Sequence, residues 1–498
     1  MARRPHFQHS GPLAQAITWY GWTFIALIGL MSVINLEGPI AGLGRVPPFV
    51  LVMPVFIAVG VVLMVLRYRE GLRLADEPVA PEDMTAAVPG RGVAADLLRQ
   101  RTGWDSPGRL GRIPVAAWAC LIAATAMFGY AILSTQFTDP FIWVGFAHMV
   151  TPVPRDIILL PLLNAMFAMW AGFVVMAVTP RMGRLRLLWW MSLILVPLSV
   201  AGWLRVSITK GAVEPRLWTQ MGGSAVYPVV LILALGVALA GFLNHFRPRV
   251  SLWMAVIHLV LVLLTGSRGG LLMIGVLLVL MVLRLGRQHT GAGERLRSLP
   301  PKVYVLGGVA VLIAVFASPI LGRLQERSAG RLMTWRVGVG AWDDNPAHII
   351  LGLGSGTLWP WFAYESGWQP HPWPSRVTGP FGYTLYHSHS LYLNVLAELG
   401  IIGLLLLAAV VWPIAAQWLK GGRTANVVVV SAVCACLVGF AFDLFLFKNF
   451  PISLVWWTVV FGALLNGGDP RSGRPPGTRA SHSSGREMGD VSPTANPA

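Results

Sequence analysis

Runs of about 20 consecutive apolar residues recur from one end of this chain to the other. Each is long enough to cross the ~30 Å hydrocarbon core of a bilayer as a helix rising ~1.5 Å per residue. Lipid offers backbone N–H and C=O groups no partner, so only helices and closed barrels satisfy them there. No succession of segments alternates polar and apolar residues with period two, which argues against a barrel. With 12% charged residues, 55% hydrophobic residues and a mean hydropathy of +0.64, the chain reads as an all-α integral membrane protein.

Twelve spans can be drawn, at 17–36, 47–66, 113–134, 157–178, 187–206, 225–246, 251–265, 269–284, 303–319, 391–418, 425–443 and 452–466. An even number puts both termini on one side. If that side is cytoplasmic, its segments hold 26 of the 38 Lys and Arg residues, the bias that orients bacterial membrane proteins. The net charge of +17 is therefore topological, and nucleic acid is not an expected partner. The basic start before the first span resembles a signal peptide, but the apolar run is too long and Glu37-Gly-Pro39 is unlike a cleavage site. It reads as an uncleaved first helix.

The expected organisation is transmembrane helices 1 and 2 over 1–66, a cytoplasmic loop over 67–112 with a surface helix near 93–101, and helices 3 to 9 over 113–319. A periplasmic loop over 320–390, helices 10 to 12 over 391–466 and a disordered cytoplasmic tail over 467–498 complete it. Cys120, Cys434 and Cys436 fall inside apolar runs, which indicates neither a disulfide framework nor a zinc site.

The loop is unlike a linker, because six tryptophans, six prolines and ten glycines lie between Ile320 and His389. Within it Leu332, Trp335, Val339 and Trp342 recur at helical spacing, which predicts an amphipathic helix lying at the membrane surface. Arg323, Arg327, Arg331 and Arg336 make the same segment basic, with Glu326, Asp343 and Asp344 opposing them locally. An anionic ligand explains these charges, and so does attraction to anionic lipid. The tryptophans read mostly as interface anchors.

Three positions stand out chemically. His387 and His389 sit in Tyr386-His-Ser-His-Ser390, where the loop meets the tenth span. An imidazole at such a boundary is kept neutral by the positive end of the helix dipole and can act as a general base. A hydrogen-bonded boundary histidine is the plainer reading, and no Asp, Glu or Cys nearby completes a metal set. Arg268 lies at a hairpin tip, Thr265-Gly-Ser-Arg-Gly-Gly270, where glycines leave it unshielded for a phosphate or a lipid head group. Glu398 is nine residues beyond His389 and half a turn out of phase, which argues for a structural partner, although an intramembrane carboxylate is by default functional. Tyr392, Leu396, Gly400 and Gly403 follow His389 on one helical face, where the glycines would let another helix approach.

Taken together, Leu264-Thr-Gly-Ser-Arg-Gly-Gly-Leu-Leu272, Arg331-Leu-Met-Thr-Trp335 with Leu351-Gly-Leu-Gly-Ser-Gly356, and His387-Ser-His-Ser-Leu-Tyr-Leu-Asn-Val-Leu-Ala-Glu-Leu-Gly-Ile-Ile-Gly403 resemble the shared domain of O-antigen ligases and related bacterial polysaccharide polymerases of the Wzy type. The resemblance covers about residues 250 to 410. It implies a GT-C-like inverting glycosyltransferase of the bacterial inner membrane, with a periplasmic active site, no metal and no cofactor. Its donor would be a glycan on undecaprenyl diphosphate. Its acceptor would be lipid A-core, as in lipopolysaccharide biosynthesis, or a lipid-linked repeat, as in polymerisation of O-antigen or exopolysaccharide. By the same resemblance His389 matches the base that deprotonates the acceptor, and Arg268 and Arg331 match arginines that hold the diphosphate. His387 matches an accessory position, and Arg336 and Tyr392 are further accessory candidates beside these residues. The family usually has Asn where this chain has Ser390. A transporter or flippase for lipid-linked oligosaccharide is the reading from a different class, but it calls for ionisable residues deep in several spans, and Glu398 is the clear mid-span carboxylate.

Overall fold

A computed structural model describes residues 11–33, 48–76, 113–137, 141–144, 149–285, 324–365, 368, 376–379, 381–422 and 424–466. The expected span at 303–319, the surface helix near 93–101, Arg323, Trp373 and the tail from 467 lie outside the described residues, as do the side chains of Glu326 and Arg327.

Among the described residues, eleven apolar helices fall where eleven of the spans were expected. Seven are long enough to cross a membrane: α1 (Pro12–Val33), α2 (Pro48–Asp76), α3 (Val115–Ser134), α4 (Asp156–Val178), α5 (Arg181–Thr209), α8 (Arg268–Leu285) and α12 (Leu391–Lys420). Four are shorter: α6 (Pro228–Leu243), α7 (Pro248–Leu264), α13 (Thr424–Gly439) and α15 (Phe450–Asn466). At ~1.5 Å per residue a 16-residue helix covers only ~24 Å, less than the hydrocarbon core. For α6, α13 and α15 the shortfall is tolerated because most of their residues are buried inside the protein and none is exposed, so they need not match lipid. A helix apolar all round is an interior helix. α15 packs on α4, α13 packs on α6 and α8, and α12 packs on α3. The protein is a multi-pass membrane protein.

The two ends of this bundle differ. At one end Arg67 Nη1 donates to the carbonyls of Ala177 and Val178, at 3.1 and 2.6 Å. Arg184 donates through Nε to Met176 and Thr179, at 2.8 and 3.1 Å, and through Nη1 to Leu465 at 2.8 Å. These carbonyls end α4 and α15, where the helix supplies no N–H and the dipole is negative, so arginine both caps and neutralises. The opposite end of α15 meets α14 (Phe445–Lys448), and there the candidate residues gather.

Between α8 and α12 the described residues form α9 (Leu324–Trp342), α10 (Pro346–Leu351), α11 (Trp361–Glu365) and a hairpin of β3 (Arg376–Gly379) with β4 (Gly382–Leu385). A second hairpin pairs β1 (Phe141–Val144) with β2 (Met149–Pro152) before α4. The expected amphipathic helix is α9, and Leu332 and Val339 of its apolar spacing lie on the outer side. Gly330, Thr334, Gly338 and Ala341 are buried, whereas Leu332 and Val339 are 53% and 45% exposed. Trp359 and Leu393 lie against Gly338, so small residues make the protein-facing side and bulky ones the outer side. Arg331 is three residues before Thr334 and seven before Gly338, and it therefore shares the protein-facing side.

α12 is not a continuous helix. Gly400 has φ of 63° and ψ of −162°, a backbone state that L-residues adopt only at a cost. A Cβ there would collide with the Ile350 carbonyl and the Gly352 backbone, and a Cβ at Gly352 (φ 79°) would collide with the Glu398 carbonyl. Residues 350–354 thus pass through the break. The N–H of Leu353 donates to Ala397 O at 3.0 Å, and that of Gly354 to Glu398 O at 2.9 Å. The element that approaches at Gly400 is the C-terminal end of α10 with the turn that follows it. Gly403 lies beside Val395 and Leu399 of its own helix, because the turn at Gly400 resets the helical phase.

Candidate active site

The histidine pair is held in a tight turn just before α12. Ser390 is extended (φ −158°) and its Oγ accepts from Leu393 N–H at 3.3 Å, the N-cap of the helix. Asn and Ser rank together as N-cap residues, so a serine here caps the helix as well as an asparagine would. Ser388 Oγ donates to Ser390 O at 2.8 Å and accepts from Ser390 N–H at 3.3 Å. His389 between them has φ of 53°, left-handed for a residue with a side chain, a strain that persists only where the surroundings impose it.

The N–H of His389 donates to His387 Nδ1 at 3.2 Å, and the two ring centroids are 3.6 Å apart. His387 is 4% exposed. Because its Nδ1 accepts, the proton of neutral His387 sits on Nε2. His389 is more open, but its Nδ1 is buried with no hydrogen-bond partner.

α9 fastens this turn from one side. Trp335 Nε1 donates to Ser388 O at 3.0 Å, and Thr334 Oγ1 accepts from Leu385 N–H at 3.0 Å. α13 fastens it from the other, since Leu391 N–H donates to Phe440 O at 2.7 Å and Tyr392 OH donates to Leu437 O at 2.9 Å. Tyr392 is therefore a tether between helices.

Arg331, carried on α9, feels both Arg268 and Asp443. Burial pushes its guanidinium below its usual range, Asp443 raises it and Arg268 lowers it further, while arginine remains charged throughout. Arg268 is the first residue of α8, with Ser267 Oγ accepting Gly270 N–H at 3.2 Å at the start of that helix. Gly269 lies beside Phe442, the neighbour of Asp443. His389 is pushed down to about 2 by burial, then by Arg331 and then by Lys448. Lys448 Nζ stands 5.0 Å from the ring centroid of Tyr386, which meets His387 edge-on at 4.8 Å. Arg268, Arg331, His387, His389, Asp443 and Lys448 thus converge although the sequence separates their ends by 180 positions.

Residues 253–408 match the family model described as O-antigen ligase. The chain carries an O-antigen ligase domain. No curated protein matches the chain. The O-antigen ligase domain marks a membrane enzyme of ligase or polymerase type, glycosyltransferase-like in its chemistry. It contributes Arg268, Arg331, His387 and His389 to the cluster, whereas Asp443 and Lys448 come from beyond the matched interval.

Of the accessory candidates, Arg336 is exposed. It lies five residues after Arg331, about 140° around α9, so the helix does not present both to the same surface. Glu398 is structural in its contacts. Its Oε2 accepts from Gly356 N–H at 3.0 Å and Asn394 Nδ2 at 3.2 Å, and its Oε1 accepts from Leu358 and Trp359 N–H at 3.3 and 3.4 Å. It pins residues 356–359 to α12 just above the break. The sequence reading missed Lys448, and Asp443 is the last residue of the expected 425–443 span. A lone lysine between two apolar runs, on the side expected to hold few cations, was the available signal.

Proposed function

We propose that the O-antigen ligase domain makes this protein a glycosyltransferase of the bacterial inner membrane, moving a glycan from undecaprenyl diphosphate to an acceptor hydroxyl at the periplasmic face. A lipid A-core acceptor, the ligase reaction, is preferred to a lipid-linked repeat because the match is to the ligase domain. The observation that carries the reading is the convergence of Arg268 and Arg331 with a neutral histidine at the mouth of α12.

The residues fit the bond changes. His389 takes the proton of the acceptor hydroxyl, and the acceptor oxygen forms a bond to the anomeric carbon. The bond from that carbon to the phosphate oxygen breaks, and its electron pair leaves with undecaprenyl diphosphate. One direct displacement inverts the anomeric configuration. Negative charge grows on the departing diphosphate, where fixed cations act on the transition state more than on the ground state. His387 holds the His389 backbone and so aims the ring.

The test is a transfer assay in reconstituted membranes with lipid-linked oligosaccharide, offering lipid A-core and lipid-linked repeats in competition. His389→Ala is expected to lower turnover by about 10² to 10⁴, and Arg268→Ala by about 10² to 10³, with unchanged expression and elution. Full activity in His389→Ala would reject the base. A product ladder with no lipid A-core conjugate would reject the ligase preference in favour of the polymerase.

A further inference from the structure

The left-handed backbone of His389, with φ of 53°, depends on how the peptide between Ser388 and His389 is turned. Both polar groups of that peptide are held. Its carbonyl accepts from Trp335 Nε1 at 3.0 Å, and its N–H donates to His387 Nδ1 at 3.2 Å. A peptide unit is planar and rigid, with its C=O and N–H on opposite edges, so a bond at each edge fixes its rotation. Bringing φ back to the negative values that a histidine prefers would carry the carbonyl off the indole and the N–H off the imidazole. The Ser388 hydroxyl bonds to Ser390 and does not engage this peptide.

The two partners differ in what they can hold. His387 is two residues from His389 and moves with the turn, whereas Trp335 belongs to α9 and is an external fixed point. α9 is itself secured: Thr334 Oγ1 accepts from Leu385 N–H at 3.0 Å, and Trp359 and Leu393 lie against Gly338. Arg331 is four residues before Trp335, a neighbour on the same helix surface. One turn of α9 therefore carries both a candidate diphosphate-holding guanidinium and the indole that reaches the base. That indole N–H is turned inward, whereas an interface anchor of the kind expected for the loop tryptophans would present it to lipid head groups.

We infer that Trp335 is a positioning residue for the reaction: its indole N–H holds the 388–389 peptide in the orientation that gives His389 its left-handed backbone and so aims the imidazole at the acceptor. It acts through His389 and not on either substrate. The inference deepens the glycosyltransferase reading and rests on His389 as its base.

The experiment replaces Trp335 with benzothienylalanine, in which sulfur stands in place of the indole N–H in a ring of nearly the same shape, and compares it with Trp335→Phe. Each change is made in the full chain in nanodiscs, in wild type and in His389→Ala. Amide hydrogen exchange over residues 386–391 and steady-state glycan transfer are both read. The benzothienyl protein is expected to melt like wild type but to exchange faster over the turn. Its kcat should fall about tenfold to a hundredfold, between the loss of one hydrogen bond and a ~1 Å misplacement of a reacting group, with donor KM little changed. In His389→Ala the same replacement should add little, because residues acting as one unit are not additive. Unchanged exchange or unchanged kcat in the benzothienyl protein overturns the inference. So does an equal loss in the His389→Ala background, which marks a general loosening of α9. Faster exchange in the benzothienyl protein together with full activity in His389→Ala would sink the base reading and leave the clamp on the peptide standing.

Discussion

Replacing Glu398 with alanine removes the acceptor of four donors at once: the N–H groups of Gly356, Leu358 and Trp359, and the Asn394 amide. The carboxylate is 2% exposed, so solvent does not stand ready to replace it. A buried donor left without a partner costs about 1 to 3 kcal/mol. Four at the lower end give about 4 kcal/mol, and relaxation of the 354–359 loop reduces the upper end. Glu398→Gln keeps the shape and one carbonyl oxygen, so it retains one of the two pairs of donors and should lose about 2 kcal/mol on the same arithmetic. The assay is thermal unfolding of the solubilised protein at one fixed scan rate, together with transfer per folded molecule. Both variants should melt earlier, alanine by more, and the glutamine variant should still transfer glycan at low temperature. A Glu398→Gln protein that melts like wild type yet transfers nothing would refute the structural assignment and restore the carboxylate to the chemistry.

Two further outcomes follow from the geometry. Because burial, Arg331 and Lys448 hold His389 down to about 2, it stays neutral as a free-enzyme base from pH 5 to 8. Donor kcat/KM should therefore show no acid limb from His389 in that window. Lys448→Met removes one of the fields that depress it, so the pKa rises and any limb moves to higher pH. A wild-type acid limb inside that window that vanishes in His389→Gln would refute the reasoning. Gly400→Ala forces a methyl against the Ile350 carbonyl in a left-handed backbone. It should destabilise by about 1 to 3 kcal/mol for the backbone state alone, read as a lower melting midpoint, while Leu405→Ala on an exposed stretch of the same helix should not.

Much of the bundle was legible because lipid leaves the backbone so little choice: eleven of the described helices lie on apolar runs. The candidate site was half legible. Arg268, Arg331 and His389 stood out because each is a titratable group beside apolar sequence, and the resemblance supplied their order. Three things were hidden for physical reasons. The protein-facing side of α9 went unseen, because close packing there is done by Gly330, Thr334, Gly338 and Ala341, which periodicity scores as weak. Gly400 looked like a helix-packing glycine, since nothing in Leu399-Gly-Ile-Ile-Gly403 distinguishes a close approach from a positive φ. Lys448 and Asp443 join the cluster through the fold of α13 to α15, a contact that no local pattern encodes.

The break in α12 also bears on how the protein is made. Within α12 the carbonyls of Ala397 and Glu398 take their hydrogen bonds from Leu353 and Gly354, 44 positions earlier in the chain. At a synthesis rate of about 5 to 20 residues per second, those partners leave the ribosome roughly 2 to 9 seconds before the carbonyls do. Translation order thus delivers the two donors before the carbonyls they serve. A circular rearrangement that placed residues 350–359 after α12 would reverse that order and leave two carbonyls waiting for donors not yet synthesised.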